Sequence, residues 1–406
     1  MQQSVRSRAV FFIGGYDPKT SEAFFKRLRR EIARFDALWN VRSEISPVSE
    51  ASDGEIGSVT IDTVSAEEGW TVRTDFNFLV LDKIVLADFA RPLPVRLAKY
   101  LVAFGDFVIS GAAFRFFARA WRFALYFLYP FLALVLFAAL GTLAAWLAEW
   151  LIGPWIGRAD WIVGIAVFFA ALATLGKRWS TTHLMDLWSF SLNFMRGRRP
   201  DAEALMQRFA GAVEDRVAAG RYDEVVIIGH STGGMLMLDM AARLFALDPA
   251  FATRAGRVAL LTLGSTALKA GYHPAAKQFR RDVQALTDAP GLDWFEVQCL
   301  TDAINFYKTD PVAEMKLRRA PGRVFPLTRT VRVKDMLLPD AYRRVKRNFF
   351  RVHYQYVFGN TKAYWYDFFQ VCCGPLFLVD RMRDMIVGGV PAQKPDRGLA
   401  KGDESQ

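Results

Sequence analysis

Cysteine and histidine are scarce in this chain, three and four respectively among 406 residues. Cys299, Cys372 and Cys373 supply neither a disulfide framework nor the paired spacing of a zinc site, so the adjacent pair is expected as reduced thiols in a core or interface. A reducing compartment is the corresponding expectation for the folded part. Charge is absent altogether from two stretches, residues 123–148 and 161–176. The first is about 26 residues long, which at about 1.5 Å per residue crosses a hydrocarbon layer of about 30 Å with some tilt. The second, about 16 residues, is short for a span. It either crosses with Trp155 and Trp179 anchoring its ends or is a buried or re-entrant helix. A cleavable leader is not expected, because Arg6 and Arg8 are followed at once by a strand-like run.

Hydrophobic residues make up 52% of the chain and aromatics 14%, and the net charge is +11. A basic balance of this size suits nucleic acid or an anionic membrane surface. The charge-free runs decide for membrane lipids as partner and against nucleic acid. Arg115, Arg119 and Arg122 precede the two runs, Lys177, Arg178, Arg196, Arg198 and Arg199 follow them, and Arg158 is the one basic residue between. By the positive-inside rule both ends of the hairpin are cytoplasmic. The expectation is an integral membrane protein of a bacterial inner membrane, with its folded domain and both termini in the cytoplasm. Residues 95–122, apolar with sparse basic side chains, are expected as a helix at the membrane interface, and the polar residues 393–406 as a disordered tail. Arg343, Arg344, Lys346, Arg347 and Arg351, with Phe349 and Phe350, read either as a solvated helix face or as a contact with anionic headgroups.

Outside the hairpin, short buried-type strand runs alternate with helical periodicity. Residues 9–13 are an apolar run ending at Gly14-Gly15-Tyr16, and residues 21–35 follow at helical spacing. Residues 58–64 and 70–86 read as strand material, and 201–220 as a helix with Leu205, Phe209, Val213 and Val217 on one face. Residues 257–263, 294–301 and 322–333 read as further strands, and 340–352 as a basic helical stretch. The pattern is α/β, with residues 1–94 and 181–392 expected to build one domain around a membrane segment at 95–180.

The most specific stretch is residues 225–235, Val-Val-Ile-Ile-Gly-His-Ser-Thr-Gly-Gly-Met. A β-branched run ends at Gly229, and a helical pattern starts beyond Gly233 and Gly234, with Ser231 at the apex. A serine held clear of a sheet on such a turn sits in strained backbone, and the close approach of strand and helix leaves room only for glycine two residues to either side. These residues resemble the nucleophile elbow of the α/β-hydrolase superfamily, in the Gly-His-Ser-x-Gly-Gly form common among its lipases and esterases. The resemblance covers the N-terminal strand and turn plus residues 201–366. It implies a mostly parallel sheet with helices on both faces, interrupted by an inserted transmembrane helical hairpin, and chemistry without metal or cofactor. It also implies an oxyanion hole made by the backbone N–H of Thr232 and that of Gly15 or Tyr16.

A serine hydroxyl needs a base, and the base needs an acid to hold its tautomer. The family's chain order, serine then acid then histidine, leaves His353 as base. His183 and His230 precede the serine or adjoin it, and His273 lies before the expected acid strand. Asp302 is the expected acid, at the end of the strand over 294–301, with Asp310 as the alternative. The resemblance therefore implies a membrane-anchored serine hydrolase acting on an acyl ester or thioester, a lipid's among them. An acyltransferase using the same three residues, or a binding protein that keeps the fold without the chemistry, are the other readings.

Overall fold

The apolar runs become the strands of one sheet. In the computed structural model, which describes residues 5–51, 54–156, 159–387 and 390–391, the strands are β1 (Ser7–Ile13), β2 (Arg42–Ile45), β3 (Ser49–Ala51), β4 (Ile56–Ser65), β5 (Trp70–Leu79), β6 (Glu224–His230), β7 (Arg257–Leu263), β8 (Leu292–Cys299) and β9 (Leu327–Val331). They are ordered β2-β4-β5-β1-β6-β7-β8-β9, with β3 paired to β4. From β5 to β9 neighbours run parallel, while β4 is antiparallel to β5, and β2 and β3 to β4. All of β6 is buried, as is all but the first residue of β1 and of β7. Strands covered on both sides have no polar face to alternate with, which is why they read as unbroken apolar runs.

β1 lies between β5 and β6, with Ile13 level with Leu79 on one side and Gly229 on the other. The chain after β1 extends the sheet towards β2, and the chain after β6 extends it towards β9. Strand order therefore reverses between β1 and β6, and ligands of open α/β sheets bind outside the carboxyl ends of the strands at such a reversal. Residues 14–16 and Ser231 leave their strands at that edge. Helix α1 (Ser21–Trp39) covers this end of the sheet through Phe24, stacked on Phe12 at 5.4 Å and on Phe78 at 4.0 Å.

Between β5 and β6 the chain is helical, with α2 (Asp82–Phe89), α3 (Leu93–Ile109), α4 (Ala112–Arg119), α5 (Trp121–Ile156), α6 (Asp160–Arg178), α7 (Thr181–Met195) and α8 (Pro200–Ala219). Among the described residues two helices, α5 and α6, are each long and apolar enough to cross a membrane. Leu132, Val135, Leu136, Leu143, Trp146 and Ile165 are exposed along them. They touch backbone to backbone, since a Cβ on Gly141 would sit 2.6 Å from the Gly164 carbonyl oxygen and one on Gly164 2.8 Å from that of Gly141. Small residues at a crossing allow this approach. At their base Phe107, Phe116, Phe123 and Phe127 surround the buried Trp188 of α7, at ring-centroid distances of 4.9 to 6.2 Å.

Several expectations change in detail. Residues 95–122 cover most of α3, all of α4 and the first two residues of α5, and α3 and α4 meet at 69°; Gly111 at the joint takes φ +78°, a left-handed conformation that ends a helix. Residues 70–86 are strand only to Leu79, because Asp82 opens α2 with an acidic side chain at its N-terminus. The stretch over 340–352 is two short helices, Pro339–Val345 and Phe349–Tyr354, separated at Asn348, whose side chain accepts the Arg351 N–H at 3.0 Å. Helix α7 and the short edge strands β2 and β3 are additions. The tail at 393–406, Arg158 and the Trp155 side chain lie outside the described residues.

Candidate active site

Strand β6 delivers the chain to Ser231 at φ 60°, ψ −125°, and helix α9 (Thr232–Leu247) starts at the next residue. Positive φ at a non-glycine residue costs on the order of 1–3 kcal/mol, so the surroundings must hold it. The Ser231 N–H donates to the Leu263 carbonyl at 3.0 Å, and the Ser231 carbonyl accepts from Gly234 at 3.0 Å and Thr266 at 3.1 Å. The flanking glycines are sterically required. A Cβ on Gly229 would meet the Gly233 carbonyl oxygen at 2.6 Å, and one on Gly233 the Gly14 and Ile13 carbonyl oxygens at 2.2 and 2.3 Å.

The second group, Asp302 and His353, comes from 71 and 122 residues further along the chain than Ser231. His353 Nδ1 lies 2.7 Å from Asp302 Oδ2. The other carboxylate oxygen, Oδ1, accepts the Ile304 N–H at 2.9 Å, and both side chains are buried. An acceptor-only carboxylate at Nδ1 puts the proton there and leaves Nε2 with a free lone pair. That Nε2 is buried and has no hydrogen-bond partner among the described residues. His230, the neighbour of Ser231, bonds the His353 carbonyl through Nε2 at 3.0 Å, with the two rings 4.7 Å apart. Burial, then the nearby His353, holds His230 well below the usual histidine range, so it is neutral and donates that bond.

The turn after β1 lies against the serine. A Cβ on Gly15 would sit 3.4 Å from Ser231 Cβ and 3.6 Å from its Oγ. Tyr16 is fixed by its hydroxyl, which donates to Asp88 Oδ2 at 2.6 Å; Asp88 in turn pairs with Arg91 at 2.6 Å and Arg199 at 2.7 Å. Thr232 is the first residue of α9, where backbone N–H groups lack intrahelical partners. No protein-family model, curated protein or solved structure matches this chain.

Ser231, His353, Asp302, Thr232 and the turn at 14–16 thus gather at one end of the sheet. Asp310 does not join them, since it caps the helix Pro311–Glu314 and pairs with Arg319 at 2.5 Å. His273 is bound to Asp106 at 2.7 Å, and His183 packs by the rings of Tyr16 and Phe89 at 5.9 and 5.5 Å. Sequence reasoning missed Lys269, whose buried amine donates to Thr232 Oγ1 at 3.0 Å and is pushed down to about 7 by burial. It also missed Asp17, Lys19, Arg27 and Tyr354, which line a cleft with Gly15 and His230. A charged residue in an otherwise apolar turn, such as Lys269 after Thr266-Ala267-Leu268, was the available signal for the first. None existed for the cleft, which joins α1 to residues more than 300 positions away.

Proposed function

We propose that this chain is a membrane-anchored serine hydrolase with an α/β-hydrolase-like sheet, cleaving an acyl ester or thioester through an acyl-enzyme. The reading is carried by the buried Asp302–His353 pair, whose Nε2 has no partner among the described residues and whose backbone carbonyl binds His230, the chain neighbour of a serine on a positive-φ strand-to-helix turn. In the mechanism, Asp302 holds the Nδ1 proton and His353 Nε2 takes the proton of Ser231. The freed Oγ attacks the substrate carbonyl, and the oxyanion is held by the amides of Thr232 and of Gly15 or Tyr16. The imidazolium returns its proton to the departing alcohol or thiol, and a water repeats the sequence to release the acid.

The membrane helices support an acyl chain as substrate. Phe123 of α5 packs at 4.0 Å on Phe306, four residues beyond Asp302, and Arg122 Nη1 donates to the Leu300 carbonyl at 2.6 Å. The loop that carries the acid is therefore fastened to the foot of a span, and an acyl ester reaching Ser231 passes close to the bilayer. The test is turnover of medium-chain nitrophenyl esters by the detergent-purified protein. The proposal expects Ser231→Ala and His353→Ala to fall at least about a thousandfold, and Asp302→Asn to fall steeply through the wrong tautomer. Turnover that persists in Ser231→Ala would overturn it.

A further inference from the structure

The cleft beside Ser231 takes no part in the proton relay, and its charges do not cancel. Lys19 pairs with Asp17 and donates to the Tyr354 hydroxyl at 3.1 Å, while that hydroxyl donates to Asp17 Oδ2 at 2.8 Å. One ammonium and one carboxylate thus neutralise each other. Arg27, half-buried on α1, adds a second cation with no ion pair or hydrogen bond among the described residues. Its guanidinium is held by aromatic faces alone, 5.2 Å from Phe24, 5.4 Å from Phe358 and 5.9 Å from Tyr354. Glu31, one turn further along α1, is already bound by Arg30 at 3.0 Å and Arg34 at 2.8 Å. His230, on the cleft wall, contributes no charge. The sum is one uncompensated positive charge, presented with a planar set of donors that suits a carboxylate or phosphate.

Position and size define what could use it. Gly15 and His230 line the cleft and also touch or adjoin Ser231. The remaining walls are apolar, from Phe12, Phe78, Leu79 and Val357. Enclosed space is about 20 Å³, on the scale of one or two waters, and the cleft is partly open to solvent, so it admits the tip of a compact anionic group and not an acyl chain. We propose that this cleft receives a carboxylate or phosphate group of the substrate, so that Ser231 acts on acyl esters whose polar end is anionic. The proposal rests on the hydrolase reading above and adds the class of ester to it.

The experiment compares oleoylglycerol phosphate with oleoylglycerol as substrates of the full-length protein in detergent micelles, for wild type, Arg27→Met and Arg27→Lys. The wild type is expected to favour the phosphate ester in kcat/KM by at least about tenfold, with the preference lost in Arg27→Met and partly restored in Arg27→Lys. Equal rates on the two esters, or a preference that survives in Arg27→Met, would overturn the anion site. Inorganic phosphate distinguishes the sources of the anion. Competitive inhibition of the phosphate ester in wild type, absent in Arg27→Met, supports the substrate's own group; phosphate that accelerates oleoylglycerol turnover overturns it in favour of a free anion. Fluorophosphonate labelling of the wild type, lost in Ser231→Ala, tests the hydrolase reading separately. Should neither ester turn over, thermal melting with inorganic phosphate decides: an increase in Tm confined to proteins with a basic residue at 27 supports the site, and an equal response in Arg27→Met overturns it.

Discussion

Lys269 places an amine in the interior beside Thr232, with one hydroxyl as hydrogen-bond partner and the Trp188 ring 5.9 Å away. Burial lowers its folded-state pKa to about 7, from the usual 10.5. Between these values the unfolded chain binds a proton that the folded chain does not, so stability rises with pH across that window and is flat below it. One proton corresponds to about 1.4 kcal/mol per pH unit. Lys269→Met should remove this slope: the apparent Tm of the wild type, relative to the variant, is expected to climb from pH 7.5 to 9.5, and parallel profiles would contradict the neutral buried amine. Ser231, Asp302 and His353 were legible because the elbow is a local pattern and histidine is rare. Lys19, Arg27 and Tyr354 were not, because their proximity depends on how α1 and residues 353–357 pack over the sheet edge.

Strands with two covered faces and helices with an empty charge pattern announce themselves, and β1, β6, β7, β8, α5, α6 and α8 were readable for that reason. Helix α7 was not, since it is buried on nearly every side and shows no periodic polar face. β2 and β3 escaped because short, exposed edge strands carry polar residues that discourage further pairing. The crossing of α5 and α6 makes its own prediction. Gly141→Leu must displace the Gly164 carbonyl, whereas Gly105 on α3 has nothing within 4 Å of an added Cβ. Gly141→Leu is expected to lower the melting temperature in detergent markedly, on the scale of about 1–3 kcal/mol or more for overpacking. Gly105→Ala should leave it unchanged or slightly raised through helix propensity. Equal behaviour of the two would mean that α5 and α6 do not pack as described.

At the scale of the molecule, the apolar helices α5 and α6 belong to the segment that leaves the sheet at the carboxyl end of β5, and α5 begins near the carboxyl end of β8, where Arg122 donates to the Leu300 carbonyl and Phe123 packs on Phe306. Lys99 and Arg198, both exposed, lie on either side of α5 and α6. If the basic flanks mark the cytoplasm, Lys99→Cys and Arg198→Cys should react with an impermeant maleimide in inverted vesicles and not in intact cells; the three native cysteines are buried. Labelling of the two positions from opposite sides would contradict a hairpin. In the proposed reading the parts divide the work: the sheet positions a serine, the distant Asp302–His353 pair activates it, and the apolar pair α5 and α6 holds the acid's loop at the bilayer. The most direct test is covalent capture. Isolated membranes treated with a fluorophosphonate should yield one adduct on the peptide containing Ser231, absent in Ser231→Ala and strongly reduced in His353→Ala. A wild-type protein that is folded, membrane-inserted and unlabelled at Ser231 would contradict the account.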